Sequence, residues 1–277
     1  MLLNTFAIEI GSTRLMCLQS GTGLPVVFLH AGVADSRMWA SQMEAVAGAG
    51  FRAVAYDRRG FGESESADEP FSHLDDLEAV LDRLDIHAAV FVGASMGGAL
   101  AIDFAIENTE RIVGLVLVGT SLSGALEPDL PDEVMPLIEA MEIAEEREDI
   151  DMLNKVEAHA WLDGPLSRNG RVGGPVRDLF LEMNGAALAK PRLTQEEETE
   201  SALDYIASVT APVLLAVGSL DFPHIIARHD EFSEEFENAF ATVIEDTAHL
   251  PPLERPDLFN PLLLEFLAAI TGEEAEG

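Results

Sequence analysis

The sequence predicts an α/β fold: a mostly parallel twisted sheet with helices on both faces and a helical insertion. Three observations predict it. Short apolar runs alternate with helical patterns up to about residue 120, the alternation stops between 121 and 208, and it resumes from 209. Strand, helix, strand in steady succession implies a parallel sheet, because parallel neighbours need a crossover and a helix usually supplies it. A strandless interval between two sheet-forming halves reads as a lid on the sheet and not as an independent module. The expected division is a core of 1–120 and 209–277 with a helical cap of 121–208.

In chain order, "TFAIEI" and "RLMCLQ" interleave apolar and polar residues around Gly11 and Ser12, as a β-hairpin does. "PVVFLH" (25–30) and "RAVAYD" (52–57) are short and apolar, the pattern of strands buried on both faces. Between them Met38, Met43 and 46–49 put one greasy face on a helix. After the turn-rich "RRGFGESESADEP", the stretch "HLDDLEAVLDRLD" repeats Leu74, Leu77, Val80, Leu81 and Leu84 at helical spacing. Strand "AAVFVGA", a helix from Met96 and strand "IVGLVLVG" follow. Within the insertion, "DEVMPLIEAMEIAEEREDI" and "EEETESALDYI" read as acidic helices and "DGPLSRNGRVGGP" as a glycine-rich connection. "TAPVLLAVGSLD" and "ATVIED" complete the sheet, "LFNPLLLEFLAAI" closes the fold as a helix, and the tail "TGEEAEG" is expected to fray.

The 277 residues are enough to bury a full core, and 48% of them are apolar. Asp and Glu number 50 against 16 Lys and Arg, a formal net charge of -34, and the only lysines are Lys155 and Lys190. Such a charge repels phosphate backbones and anionic lipid, so neither nucleic acid nor a membrane is an expected partner. The acids run from Glu9 to Glu276 without forming a block, which reads as a solvated surface. That surface suits a salt-loving source, since the Debye length falls to about 3 Å at 1 M salt. The single Cys17 allows no internal disulfide. No basic flank precedes the first apolar residues and the run "IVGLVLVG" is far short of a span, so a cytoplasmic protein is expected. Nothing in the sequence specifies an oligomeric state.

Chemistry concentrates in "VFVGASMGGALAIDFA", 90–105, where Ser95 stands between glycines at the end of an apolar run. "GASMG" fits G-x-S-x-G, and its context is the one that motif requires: a strand, a sharp turn and an Ala-rich helix. A Cβ at Gly93 or Gly97 is expected to collide with the neighbouring strand or helix. A serine hydroxyl needs a base, and the base needs an orienting acid. His249 and Asp221 follow in the order Ser, Asp, His. Asp221 could instead cap the helix "FPHIIARHDEF", and Asp246 is too close in sequence to His249 to be a good rival. His73, His87, His159, His224 and His229 show no ligand spacing with a third member, so no metal is expected.

Together these blocks resemble the α/β-hydrolase superfamily, over nearly the whole chain. "VVFLHAGVADSRMW" is similar to the strand and loop that contribute to the oxyanion hole, and "YDRRGFGES" to the glycine-rich loop after the next strand. "GSLDFP" is similar to the acid turn and "TAHLPPLERPDLF" to the histidine turn. The resemblance implies a nucleophile Ser95, an acid Asp221, a base His249 and oxyanion donors in the backbone N–H groups of Met96 and Gly32. Many relatives read His-Gly where this chain has "HAGV", which puts Ala31 at the first glycine and leaves Gly32 as donor. Asp57 and Arg58 are expected to tie loops beneath the site, with Arg58 a candidate for a substrate carboxylate. His30, Met38, Trp39, Trp161, Leu122, Phe222 and Leu250 are the candidate pocket residues. The branch it resembles holds esterases, enol-lactonases and cofactor-free haloperoxidases, so the expected activity is hydrolysis of a small ester or lactone through an acyl-enzyme, with no cofactor. The alternatives are a carbon–carbon bond hydrolase of the meta-cleavage type and a ligand-binding protein with little turnover. A serine at the elbow argues against dehalogenase and epoxide hydrolase activity, for which relatives use aspartate.

Overall fold

The computed structural model describes residues 3–126, 128–197, 199 and 201–272. Its eight strands form one sheet in the order β1-β2-β4-β3-β5-β6-β7-β8. They are β1 (Asn4–Ile10), β2 (Thr13–Gly21), β3 (Pro25–Leu29), β4 (Arg52–Tyr56), β5 (Ala89–Ala94), β6 (Ile112–Val118), β7 (Val213–Gly218) and β8 (Ala239–Ile244). Only β2 runs against its neighbours, β1 and β4, and every other pairing is parallel. The expected fold class is therefore observed, hairpin included.

The central strands have no polar face because both faces are covered. Val26 and Phe28 of β3, Ala53 and Ala55 of β4, and Val90 and Val92 of β5 point to one core. There they meet helix α1 (Ala40–Gly48) and helix α8 (Pro256–Thr271), through Met43, Val46, Phe259, Leu263 and Leu267. Val27, Leu29, Val54 and Phe91 point the other way. They pack on α2 (His73–Arg83), α3 (Met96–Glu107) and α7 (Pro223–Glu235) through Leu77, Leu81, Ala101, Phe104 and Phe232. Strict alternation of neighbouring residues between two cores is what a period of two imposes on a doubly covered sheet. Cys17 is buried in the second core, where burial pushes its thiol up to about 12, so it is a packing residue and not a reactive one.

Between β6 and β7 the chain forms helices α4 (Met135–Glu146), α5 (Ile150–Ala158) and α6 (Pro175–Leu188), with one π-helical turn at His159–Asp163. Two differences from expectation arise here. Helix α6 follows the glycine-rich connection, with Pro175 in its first turn, and Val176, Leu179, Phe180 and Met183 give it a helical face that the sequence reading does not include. The acidic stretch "EEETESALDYI" does not form the expected α-helix among its described residues. Glu196 bridges to Phe71, the Glu197 N–H donates to the Phe71 carbonyl at 2.8 Å, and the first helical turn is a 3₁₀ turn at Ile206–Ser208. Backbone partners supplied by another segment outcompete a helix that would stack like charges at i and i+4. The tail that was expected to fray lies almost wholly outside the described residues.

Asp103 of α3 is mostly buried; its Oδ2 accepts from the Ser123 hydroxyl at 2.6 Å and its Oδ1 has no partner among the described residues. Burial, opposed by that hydrogen bond, pushes its carboxyl up to about 6. A carboxyl whose pKa is higher folded than unfolded favours the folded state at low pH, and loses that contribution as pH rises from about 4 to about 6. Asp103→Asn keeps an acceptor for Ser123 and removes the charge. The variant is expected to gain on the parent by about 1 kcal/mol between pH 4 and pH 7, after allowing for partial solvation. Thermal melts at the two pH values check it; a difference that does not change with pH would contradict the assignment.

Candidate active site

Ser95 sits between β5 and α3 with φ 53° and ψ −119°, a conformation sparsely populated by non-glycine residues. The surroundings hold it there. Its N–H donates to the Val118 carbonyl at 2.8 Å, and its own carbonyl accepts from the Gly98 N–H at 2.9 Å. The turn closes only because the flanking glycines lack side chains: a Cβ on Gly93 would collide with the Gly97 carbonyl oxygen, and one on Gly97 with that of Leu29. Strain of this kind costs about 1–3 kcal/mol.

Asp221 follows β7 and His249 follows β8. The Nδ1 of His249 lies 2.8 Å from Asp221 Oδ2. A carboxylate can only accept, so Nδ1 carries the proton and the Nε2 lone pair is left for another partner. The other oxygen, Asp221 Oδ1, accepts from the Phe222 N–H at 2.7 Å, so the carboxylate also ties down the start of α7. Asp221 does not cap α7, as the sequence alternatively allowed: Phe222 holds the N-cap position and no side chain caps the helix. The pair lies beside the end of β6, the strand that neighbours β5 and its Ser95 turn. A Cβ on Gly119 would lie 3.0 Å from His249 Nδ1 and 3.1 Å from Asp221 Oδ2, and Val118, the residue before it, holds the Ser95 N–H. Among the described residues the Ser95 hydroxyl and His249 Nε2 form no hydrogen bond with each other. In many unliganded sites that contact tightens only when substrate binds.

Gly32 abuts the elbow, since a Cβ there would lie 2.5 Å from the Met96 sulfur. The Met96 side chain is 43% exposed because it projects between two cavities. One, about 390 Å³, is bordered by Gly32, Val33, Phe61, Phe71, Met96 and Leu193, with Lys190 and Arg192 at its side. The other, about 190 Å³, is bordered by Met96, Ser121, Leu122, Arg58 and His73.

Of the candidate pocket residues, Leu122 borders the smaller cavity, and Trp161 and Phe222 stack on each other with ring centroids 4.6 Å apart. Trp161 also stacks on the His249 ring at 4.6 Å. Met38 and Trp39 lie in the core, Trp39 against Phe28 at 5.3 Å, and Leu250 is fully buried there too. His30 is likewise fully buried; its Nδ1 meets the Ala31 carbonyl at 2.8 Å and its Nε2 accepts from the Arg58 N–H at 3.1 Å. Those four residues shape the loop from behind, because an apolar helix start and a strand end are consumed by packing. Phe61, Phe71, His73 and Leu193 were not anticipated. Phe61 is the aromatic inside "RRGFGES", the one available signal.

Asp57 accepts from the Ser36 N–H at 2.9 Å and from the Glu63 N–H at 2.7 Å, joining the loops after β3 and β4. Arg58 is buried, donates to the His30 carbonyl at 3.1 Å, and burial pushes its guanidinium down to about 10. Lys190 donates to the carbonyls of Phe61, Gly62 and Ser64 at 2.7–3.0 Å, so one of the two lysines is spent clamping the insertion to this loop. Among the described residues, no group of three or more His, Cys, Asp or Glu side chains is arranged to hold a metal, and no helix is long and apolar enough to cross a membrane.

Known proteins resemble this chain in sequence and in fold. A non-heme chloroperoxidase of Streptomyces lividans is 28% identical over 258 residues, 88% of this chain and 92% of that one. A haloperoxidase-like protein of Mycobacterium phage D29 is 37% identical over 103 residues, which span only 36% of its length and 35% of this chain. A thermophilic esterase from Thermogutta terrifontis, solved with malate bound, superposes with a TM-score of 0.74 at 25% identity, covering 98% of this chain and 99% of its own. A model of the alpha/beta hydrolase family matches residues 26–262.

Proposed function

The chain belongs to the alpha/beta hydrolase family, and on that premise we propose that it is a serine hydrolase cleaving a small carboxylic ester or lactone through an acyl-enzyme on Ser95. The observation that carries the reading is the Asp221–His249 pair, 2.8 Å apart, beside Gly119, whose neighbour Val118 holds the N–H of Ser95 in its strained turn. In the proposed reaction His249 Nε2 takes the hydroxyl proton as Ser95 Oγ attacks the carbonyl carbon. Asp221 stabilises the imidazolium that results. The N–H groups of Met96 and Gly32 receive the developing oxyanion, each worth about 2.7–4 kcal/mol of barrier lowering. Collapse expels the alcohol, which takes the proton from His249, and water repeats the sequence on the acyl-enzyme. The residues 121–208 act as the cap over the two cavities at Met96, and the similarity to a solved esterase supports an ester as substrate.

A fluorophosphonate probe tests this directly. One adduct is expected, on the peptide that contains Ser95, with loss of p-nitrophenyl acetate hydrolysis in step with labelling. Hydrolysis surviving in fully labelled protein, or an adduct on another residue, would refute the assignment. A vinylogous diketone acid in the same assay separates the carbon–carbon hydrolase alternative.

A further inference from the structure

His249 is gripped from the insertion as well as from the core. Its backbone N–H donates to the Trp161 carbonyl at 3.1 Å, and the Trp161 ring lies on its imidazole. Trp161 belongs to the π-helical turn that ends at Asp163. Asp163 is fully buried and accepts from the backbone N–H groups of Arg171 and Val172 at 2.6 and 2.9 Å, and from the Arg177 guanidinium. This folds the segment back so that Arg171 points at the histidine loop.

At that loop the partner is Glu254. Its carboxylate accepts from the N–H of Ala248 at 3.0 Å and from the N–H of Leu250 at 3.1 Å, the two residues that flank His249. Its second oxygen also receives the Arg171 guanidinium, and the Glu254 side chain is 1% exposed. Arg171 further donates to the carbonyls of Asp246 and Leu162, both at 2.7 Å. One guanidinium therefore touches the loop that carries His249 and the turn that carries Trp161.

We propose that the Arg171–Glu254 ion pair is a positioning device for His249, through which the insertion between β6 and β7 helps to set the general base. The proposal rests on the reading of His249 as that base. Its chemistry is simple. A buried carboxylate bound only to two N–H groups carries an uncompensated charge, and burial already raises the Glu254 carboxyl above its usual range despite Arg171. Without Arg171 the carboxyl takes up a proton more readily, and a neutral carboxyl holds two N–H groups less tightly. The loop then relaxes, and a displacement near 1 Å at a catalytic group costs about 100-fold in rate.

The test measures kcat and KM for p-nitrophenyl acetate in Arg171→Met, Glu254→Gln, their double variant and Arg171→Lys, with thermal melts on each. Both single variants are expected to lose about 10- to 100-fold in kcat with KM within about twofold of the parent. The double variant is expected to lose no more than the worse single, because each removes the same linkage. Arg171→Lys is expected to recover most of the loss, and it carries the test if Arg171→Met does not fold. A lowered Tm with kcat within about twofold of the parent in Arg171→Met and Glu254→Gln would make the pair a structural anchor and overturn the proposal. So would losses that simply multiply in the double variant. Ser95→Ala in the same series tells the two failures apart. If it is inactive while the ion-pair variants keep full rate, only the proposal fails; if it keeps the parent's rate, the reading of the site fails with it.

Discussion

Ser95→Ala is expected to lose p-nitrophenyl acetate hydrolysis by about 10⁴-fold or more, since removing a serine nucleophile elsewhere costs up to about 10⁶ in kcat. The substitution removes one oxygen and little else. The turn is held by main-chain bonds from the Ser95 N–H to Val118 and from Gly98 to the Ser95 carbonyl, and alanine keeps both. The two cavities at Met96 also survive, so KM for any residual activity is expected to stay close to the parent's. The residual rate is what the oxyanion donors and binding alone supply. A purified Ser95→Ala protein with the parent's melting curve and the parent's rate would show that the elbow serine is only a turn residue. High salt is the condition for both measurements, given a net charge of -34.

Asp221→Asn is expected to lower kcat by about 10⁴-fold at neutral pH through a change of tautomer rather than of shape. The reason lies in the second bond that Asp221 makes. Oδ1 accepts from the Phe222 N–H at 2.7 Å, a buried donor that must keep an acceptor. In the variant the carbonyl oxygen of the new side-chain amide therefore stays with Phe222, and its NH₂ turns toward His249 Nδ1. A donor there forces Nδ1 to accept and puts the imidazole proton on Nε2, the nitrogen that must receive the serine proton. The fold is expected to remain intact, with a Tm close to the parent's. Rate constants and melts of the purified variant check both halves of the statement. A loss below about tenfold would mean that another carboxylate orients the imidazole.

The sequence is most legible where local physics sets the structure. Leu74, Leu77, Val80, Leu81 and Leu84 recur at helical spacing because α2 buries one stripe, and three of these five are fully buried in it. Strands β3 to β7 read as continuous apolar runs because helices cover both faces. The elbow is legible because its glycines are demanded by contacts shorter than a Cβ allows. Helix α6 escapes a sequence reading, although its apolar residues have helical spacing, because a glycine-rich connection draws that reading toward a loop. Glutamates in "EEETES" read as helix formers, yet the backbone of Glu196 and Glu197 is claimed by Phe71, 125 residues before Glu196 in sequence. Met38 and Trp39, pocket candidates whose residue types are more often packing residues than pocket walls, lie in the core, where Trp39 packs on Phe28.

By itself the sequence determined the α/β class, the order of Ser95, Asp221 and His249 along the chain, and the sharp turn at Ser95. Each is written in a periodicity or a steric need that spans only a few residues. Only the tertiary structure decided which other charges meet: Arg171 with Glu254 across 83 residues, and Asp163 with Arg177. A charge in a chain of 50 acids and 16 bases carries no period that names its partner. Burial raises the cost of leaving such a group alone, and the fold alone brings the one oxygen or nitrogen that can satisfy it to hydrogen-bonding distance.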